Sequence, residues 1–349
     1  MIIMQQLLII GILAFLTTLV STISFADILA KEEWNACKVA HGKVYSNPME
    51  DKFRMKIYTE NKFKIALHNR LAHEGHSTFF MKINRFGDFF PSEIAALHGL
   101  RRNSNTSQTE HMAATFIAPE GFEAPTEIDW RSKGAVTEVK DQGKCGSCYA
   151  MAVAGSLEGQ HFRKTGKLVP LSVQQIVDCF NKFNHDGDDG CEGGAPKWTF
   201  EYIRDNKGID TESSYPYVSG KTGVMQKECH FNKSTIGATE AGYVQIAIEN
   251  EDALALAVAT QGPIAISMDA SSFGFTYYSH GIYKDDKLGD KCSKDWRYSN
   301  HALLIVGYGP GYWLVKNSWG KDWGMEGYVK IERGNNMCGI ADEPMYPLV

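Results

Sequence analysis

The sequence is short of several things, and each shortage removes a class of function. Lys and Arg never gather into a dense run, and the formal net charge of the 349 residues is −5, so nothing calls for a nucleic-acid partner. There is no low-complexity tract. With 43% hydrophobic and 22% charged residues, the composition is that of a globular chain. The pattern of a zinc site is missing too: one C-x-x-C occurs, Cys145 to Cys148, with no second C-x-x-C and no paired histidines. The run HDGDDGC at 185–191 faintly resembles a calcium loop, but the twelfth position from Asp186 is not Glu. No metal and no cofactor is expected.

What is present begins with an apolar run at 7–20, LLIIGILAFLTTLV, too short to span a bilayer comfortably. Ser24 and Ala26 put small residues at the −3 and −1 positions of a cleavage site before Asp27. The run reads as a signal peptide over 1–26, with a retained anchor as the alternative. A secretory route makes disulfides admissible, and eight cysteines occur, at 37, 145, 148, 179, 191, 229, 292 and 338. Asn105 and Asn232 head N-x-S sequons and become candidate glycan sites in that compartment.

Residues 27 to about 99 have a helical texture. In MEDKFRMKIYTENKFKIALHNRLAH, Phe53, Ile57, Phe63, Leu67 and Leu71 recur with charges between them, the pattern of an amphipathic helix. A shorter helix is expected over 27–40, carrying Ile28, Leu29, Trp34 and Val39, and a short strand in FFMKINRF. Residues 101–125 are polar, rich in Ser, Thr and Asn, and read as a linker. Beyond it, helices are expected from Tyr149 to Thr165 with Gly166 as the cap, in LSVQQIVDCF and in KWTFEYIRDN. From 236 onward the runs are short, β-like and separated by glycines: GYVQIAI, GPIAISMDA, HALLIVGYG, YWLVKNSW and GYVKIER. A helical part followed by a β part predicts two lobes. Charge agrees with a cut near 123, with 13 Lys+Arg against 12 Asp+Glu before it and 23 against 29 after it.

The C-x-x-C admits two readings, a redox pair or one structural and one nucleophilic sulfur. A nucleophilic cysteine must ionise, and a helix N-terminus beside an imidazolium lowers its pKa. Cys148 has the helix and needs a histidine with something to orient it. His301 opens HALLIVGYG and Asn317 closes YWLVKN, 153 and 169 residues downstream.

QGKCGSCYA fits C-G-[SA]-C-[WY], the signature around the nucleophile of papain-like proteases. With GCEGG, NHALLIVGYG and WLVKNSWGKDWGMEGYVKIERG, the chain resembles a papain-family preproenzyme of cathepsin L type over nearly its full length. The resemblance implies an α+β fold with a helical left lobe and a β-barrel-like right lobe. It also implies a helical inhibitory propeptide over 27–123 and a mature peptidase over 124–349. The family's propeptide motif appears as Glu50, Arg54, Ile57, Tyr58, Asn61, Ile65 and Asn69, then Asn84, Phe86 and Asp88, with Tyr58 and Lys82 as departures. A groove-filling segment running in reverse follows these motifs in the family. Tyr149 replaces the usual Trp after the nucleophile.

By the same resemblance Cys148 is the nucleophile, His301 its acid and base, Asn317 the orienter of His301, and Trp319 the shield of their hydrogen bond. Gln142 supplies one oxyanion donor and the Cys148 backbone N–H the other. The implied bridges are Cys145–Cys191, Cys179–Cys229 and Cys292–Cys338, which leaves Cys37 without an assigned role. Gly193, Gly194, Ala195, Pro196, Ser267, Ser299, Ala302 and Trp319 are the implied substrate contacts. Glu343 falls at the floor of the pocket for the second residue before the scissile bond, where a carboxylate favours Arg beside Leu or Phe. The stretch between Cys179 and Cys191 is short and lacks paired histidines, which predicts internal cleavage rather than end trimming. The implied partners are peptide and protein substrates, the chain's own propeptide and cystatin-type inhibitors. A monomer without nucleic acid or stable membrane anchor is expected, in the lysosome or exported. A non-catalytic binder and a dithiol oxidoreductase are the rival readings, separable by counting thiols.

Overall fold

The structure, a computed structural model, describes residues 27–101, 114–180, 190–226, 228–285 and 291–349. The apolar leader, the Asn105 sequon and most of the calcium-like run lie outside these residues. The described chain divides into two compact units, 27–66 with 85–90, and 67–84 with 91–349.

The first unit is built on a helix over 27–40 and on most of a second, Pro48–His73. Both helices were expected, but apart from Trp34 the apolar positions that marked them are not the ones most deeply buried. Phe53, Phe63 and Leu67 are exposed, as are Ile28, Leu29 and Val39. The long helix instead buries Arg54, Tyr58, Asn61, Ile65, His68 and Ala72, alternating steps of four and three that keep to one face. Polar residues hold that face because their donors find acceptors. Arg54 pairs with Glu50 at 2.8 Å, donates to the Asp88 carbonyl at 3.2 Å, and lies over the Tyr45 and Phe90 rings. Asn61 donates to the Gly87 carbonyl at 2.9 Å. Asp88 is fully buried and accepts from Lys43 Nζ and Tyr45 Oη. Trp34 packs on Tyr45 and Tyr58 beside Cys37, a buried free thiol. Burial pushes the Cys37 pKa up.

In the second unit the end of the long helix is tied to the strand Phe79–Met81. His68 Nε2 donates to the Phe79 carbonyl at 3.0 Å, and the Asn69 amide bonds both the N–H and the carbonyl of Met81 at 2.9 Å. That strand lies at the edge of a ten-stranded sheet, antiparallel to Tyr278–Tyr283. Next come Tyr328–Glu332, Tyr312–Lys316, His301–Gly309, Ile264–Met268, Met345–Leu348 and Gly242–Gln245, with Ala114–Thr115 at the far edge and Ile128–Asp129 pairing with His301–Gly309 off this path. The expected helices are Cys148–Thr165, Val173–Cys179 and Pro196–Asn206. The first is buried from Cys148 through Gln160 and ends on Gly166, whose φ of 73° lets its N–H reach the Phe162 carbonyl. Among the elements of the C-terminal part that were not expected are the helix Glu251–Gln261 and the strands Tyr278–Tyr283 and Met345–Leu348. The helix begins on Asn250, whose side chain accepts from the Ala253 N–H, with Glu251 and Asp252 in its first turn.

Because Arg54 is buried with three sets of partners in its own unit, Arg54→Ala is expected to destabilise that unit by about 1–3 kcal/mol. Urea unfolding of the full chain checks this, and an unchanged midpoint contradicts it.

Candidate active site

Cys148 is the first residue of its helix, so its sulfur sits where backbone N–H groups are unpaired by the helix itself. His301 begins the strand His301–Gly309, and Asn317 follows the neighbouring antiparallel strand Tyr312–Lys316. The pairing of those strands brings together two side chains 16 residues apart: His301 Nε2 donates to Asn317 Oδ1 at 2.9 Å. That oxygen also accepts from the Ser318 N–H at 2.7 Å, which fixes it as the acceptor and puts the imidazole proton on Nε2. Nδ1 of His301 is buried with no hydrogen-bond partner. Trp319 lies over the ring, centroids 4.9 Å apart, and is itself buried against Phe275 and Trp323. Lys316, beside Asn317, is buried and anchored to the Thr137 carbonyl at 2.8 Å; burial lowers its pKa to about 8.

Gln142 is oriented from the same strand end. Ser318 Oγ donates to its Oε1 at 2.7 Å, which leaves Nε2 to donate to the Leu97 and Cys145 carbonyls at 2.9 and 3.0 Å. Ser318 was not singled out in the sequence, although its position directly after Asn317 is the signal that marks it. Tyr149 is buried and donates to the Gly190 carbonyl at 3.0 Å, so the hydroxyl that replaces indole has its partner. Cys145, Cys179 and Cys292 are bridged to Cys191, Cys229 and Cys338, while Cys148 is free. Cys145 is therefore not available as a redox partner of Cys148.

The site is occupied by the chain itself. Residues 97–101 run beside Gly194: the Gly194 N–H donates to the Gly99 carbonyl and the Arg101 N–H to the Gly194 carbonyl, both at 2.9 Å, in a parallel bridge. From the other side the Leu100 N–H donates to the Asn300 carbonyl at 3.1 Å. A Cβ on Gly99 would stand 1.7 Å from the Gly146 carbonyl oxygen, so only glycine fits there. His98 packs against both His301 and Trp319, centroids 5.9 and 6.1 Å away. Leu97, His98 and Gly99 escaped the residue-by-residue reading because ALHGL has no pattern that fixes its register.

This cover reverses the electrostatics expected of a nucleophilic cysteine. Burial pushes the Cys148 thiol up to about 11, although N–H groups of Ala302, Gly99, Tyr149 and Cys148 itself pull the other way. Burial, and then the charge of His98, lower His301 to about 3 against the opposing hydrogen bond to Asn317. The pair is thus thiol and neutral imidazole, not thiolate and imidazolium.

The remaining expected positions are partly assembled. Gly193 is left-handed beside Gly99, Ala195 precedes the helix Pro196–Asn206, and Ser267 faces Ala302 across two strands. Ser267 Oγ and Ser299 Oγ are buried without hydrogen-bond partners. Glu343 is half-buried two residues before the last strand. Asn232 is exposed, its side chain accepting from Ser234.

A model of the papain family of cysteine proteases matches residues 124–348, and one of the cathepsin propeptide inhibitor domain matches 34–94. The chain is 46% identical to a cathepsin L-like peptidase of Aedes aegypti over 332 residues, covering 92% of this chain and 94% of that protein. It is 45% identical to cathepsin L of Sarcophaga peregrina, covering 96% and 97%. Digestive procathepsin L 3 of the Tenebrio molitor larval midgut superposes with a TM-score of 0.80 at 36% identity, over 92% of this chain and 99% of that one.

Forcing one extra carbon into a packed contact costs about 1–3 kcal/mol. Gly99→Ala is therefore expected to speed iodoacetamide labelling of Cys148 in the full chain at neutral pH by about ten- to a hundred-fold. An unchanged labelling rate means that Gly99 does not seal the site.

Proposed function

Since the chain belongs to the papain family of cysteine proteases and carries a cathepsin propeptide inhibitor domain, we propose that it is a secreted or lysosomal endopeptidase in which Cys148 and His301 react. The observation that carries this reading is the oriented pair His301–Asn317 beside a free cysteine at a helix N-terminus, with Gln142 turned by Ser318 to donate into the same space. Once residues 97–101 leave, water and substrate reach the pair, and proton transfer from Cys148 to His301 gives thiolate and imidazolium. The thiolate attacks the peptide carbonyl carbon, and Gln142 Nε2 with the Cys148 N–H bonds the developing oxyanion. His301 gives its proton to the leaving amine as the C–N bond breaks. It then takes one from water, which hydrolyses the thioester and regenerates the thiol. Asn317 keeps the ring in plane through both transfers.

The propeptide is the enzyme's intramolecular inhibitor. Residues 1–26 serve as the signal peptide, and in acid the enzyme cleaves residues 27–123 from itself. Asn105 and Asn232 carry glycans, and the mature chain is monomeric and open to cystatin-type inhibitors. The latent state is consistent with the Gly99 N–H of the covering segment facing the sulfur, beside the N–H groups of Ala302, Tyr149 and Cys148. Ala195, Pro196, Ser267, Ser299 and Ala302 wall the pocket for the second residue before the scissile bond, and Glu343 at its floor accepts Arg as well as Leu or Phe.

Cys148→Ala is expected to abolish peptide hydrolysis with the fold intact, and Gln142→Ala to lower kcat/KM by about 10²–10³. Residual hydrolysis by the cysteine variant above about a tenth removes the assignment. A charge-assisted hydrogen bond contributes about 1.5–3 kcal/mol. Glu343→Ala should therefore lower the Arg-to-Leu ratio of kcat/KM by about tenfold or more, and an unchanged ratio excludes Glu343 from substrate reading.

A further inference from the structure

Residues 97–101 lie between the two family matches, 34–94 and 124–348, and one of them carries a titratable ring into the site. We infer that His98 is the proton sensor of the latent form: protonation of its imidazole beside His301 drives the covering segment out of the site. The inference rests on the reading of Cys148 and His301 as the reacting pair and names how that pair is regulated.

The geometry leaves no room for a charge on His98. Its ring hydrogen-bonds the Ala270 backbone on one side, while Nε2 is buried and has no hydrogen-bond partner. A proton added at Nε2 would be an N–H without an acceptor, in a ring 5.9 Å from that of His301 and 6.1 Å from that of Trp319. The groups facing it on the neighbouring elements are few. His301 opens its strand with Nδ1 also unpartnered, and the thiol of Cys148 is neutral. Asp269, next after the strand Ile264–Met268, is the acidic group that favours a charge on His98. Its carboxylate already accepts from Ser271 N and Oγ, Ser293 N and Asn300 Nδ2. Arg101, on the same segment, is turned to the Glu192 carbonyl and carboxylate.

The sign follows from the two states. In the closed segment burial holds His98 at about 4, below its ordinary 6.5, while in an open segment the ring returns to the ordinary value. The closed state therefore binds the proton more weakly. It is fully favoured above about pH 6.5 and is lost as pH falls toward about 4, by up to about two and a half decades in the closed-to-open ratio. His301, held at about 3 in the closed form, receives its proton from Cys148 on opening, an internal transfer with no net uptake. Wild type thus takes up one more proton than a chain without His98.

The test uses the full chain with His98→Phe, which keeps an aromatic ring against Trp319, and His98→Asn, which keeps a small polar group. Two rates are followed from pH 6.5 to 4, the alkylation of Cys148 by iodoacetamide and the appearance of the mature chain. In wild type the logarithm of each rate, taken relative to either variant, should rise by about one decade per pH unit in the steepest part of the window. At pH 5 both variants should open about thirtyfold more slowly. Equal pH slopes in wild type and either folded variant overturn the inference. Alkylation reads opening whether or not peptides are cleaved. A mature chain that alkylates normally but does not hydrolyse peptides overturns the reading of the site instead.

Discussion

Gly99 has no side chain, and the closeness this allows is the constraint on which the latent site depends. With a Cβ 1.7 Å from the Gly146 carbonyl oxygen, any other residue would lift the segment off the loop that leads into the Cys148 helix. At the observed distance the segment bonds Gly194 on one side and Asn300 on the other, and it presents the Leu97 carbonyl to Gln142. These contacts are main-chain bonds or bonds to a main-chain carbonyl, so they hold the backbone without depending on most side chains of the segment. The side chain that does enter the site is His98.

Covering the site does more than exclude substrate. A helix N-terminus and several backbone N–H groups point at the Cys148 sulfur, the arrangement that normally favours a thiolate. Here desolvation outweighs them, and the thiol lies near 11 while His301 lies near 3. Donating a proton from a group at about 11 to one at about 3 is prohibitive, so the geometry is complete while the chemistry is switched off. Latency is electrostatic as well as steric, and the same desolvation that disarms the pair makes the closed form sensitive to acid.

The free Cys148 at a helix start and the His301–Asn317 pair were legible because their signals are short, local and chemically specific: C-x-x-C before a helix, a histidine opening one strand, an asparagine closing the next. The helices around Cys148 and after Leu171 were legible from periodicity and capping. The face of the propeptide helix was not legible from apolar spacing, which weighed Phe53, Phe63 and Leu67 above Arg54, Asn61 and His68, although the family motif names Arg54 and Asn61. Burial followed hydrogen-bond satisfaction instead, as Arg54 and Asn61 found carbonyls at Asp88 and Gly87 and His68 one at Phe79. The helix Glu251–Gln261 was hidden among β-like neighbours despite its Asn250 cap. The strand Met345–Leu348 contains proline, a weak strand signal on its own. The raised thiol was illegible altogether, since it arises from a segment some fifty residues away folding over the sulfur.

One stretch of backbone keeps Cys148 and His301 in their neutral forms. This is tested most directly by the pH profile of Cys148 alkylation in the full chain and again after the propeptide has been removed. The thiol should titrate near 11 in the full chain and below the ordinary value of about 8.5 once residues 97–101 are gone. The same apparent pKa in both forms would contradict it.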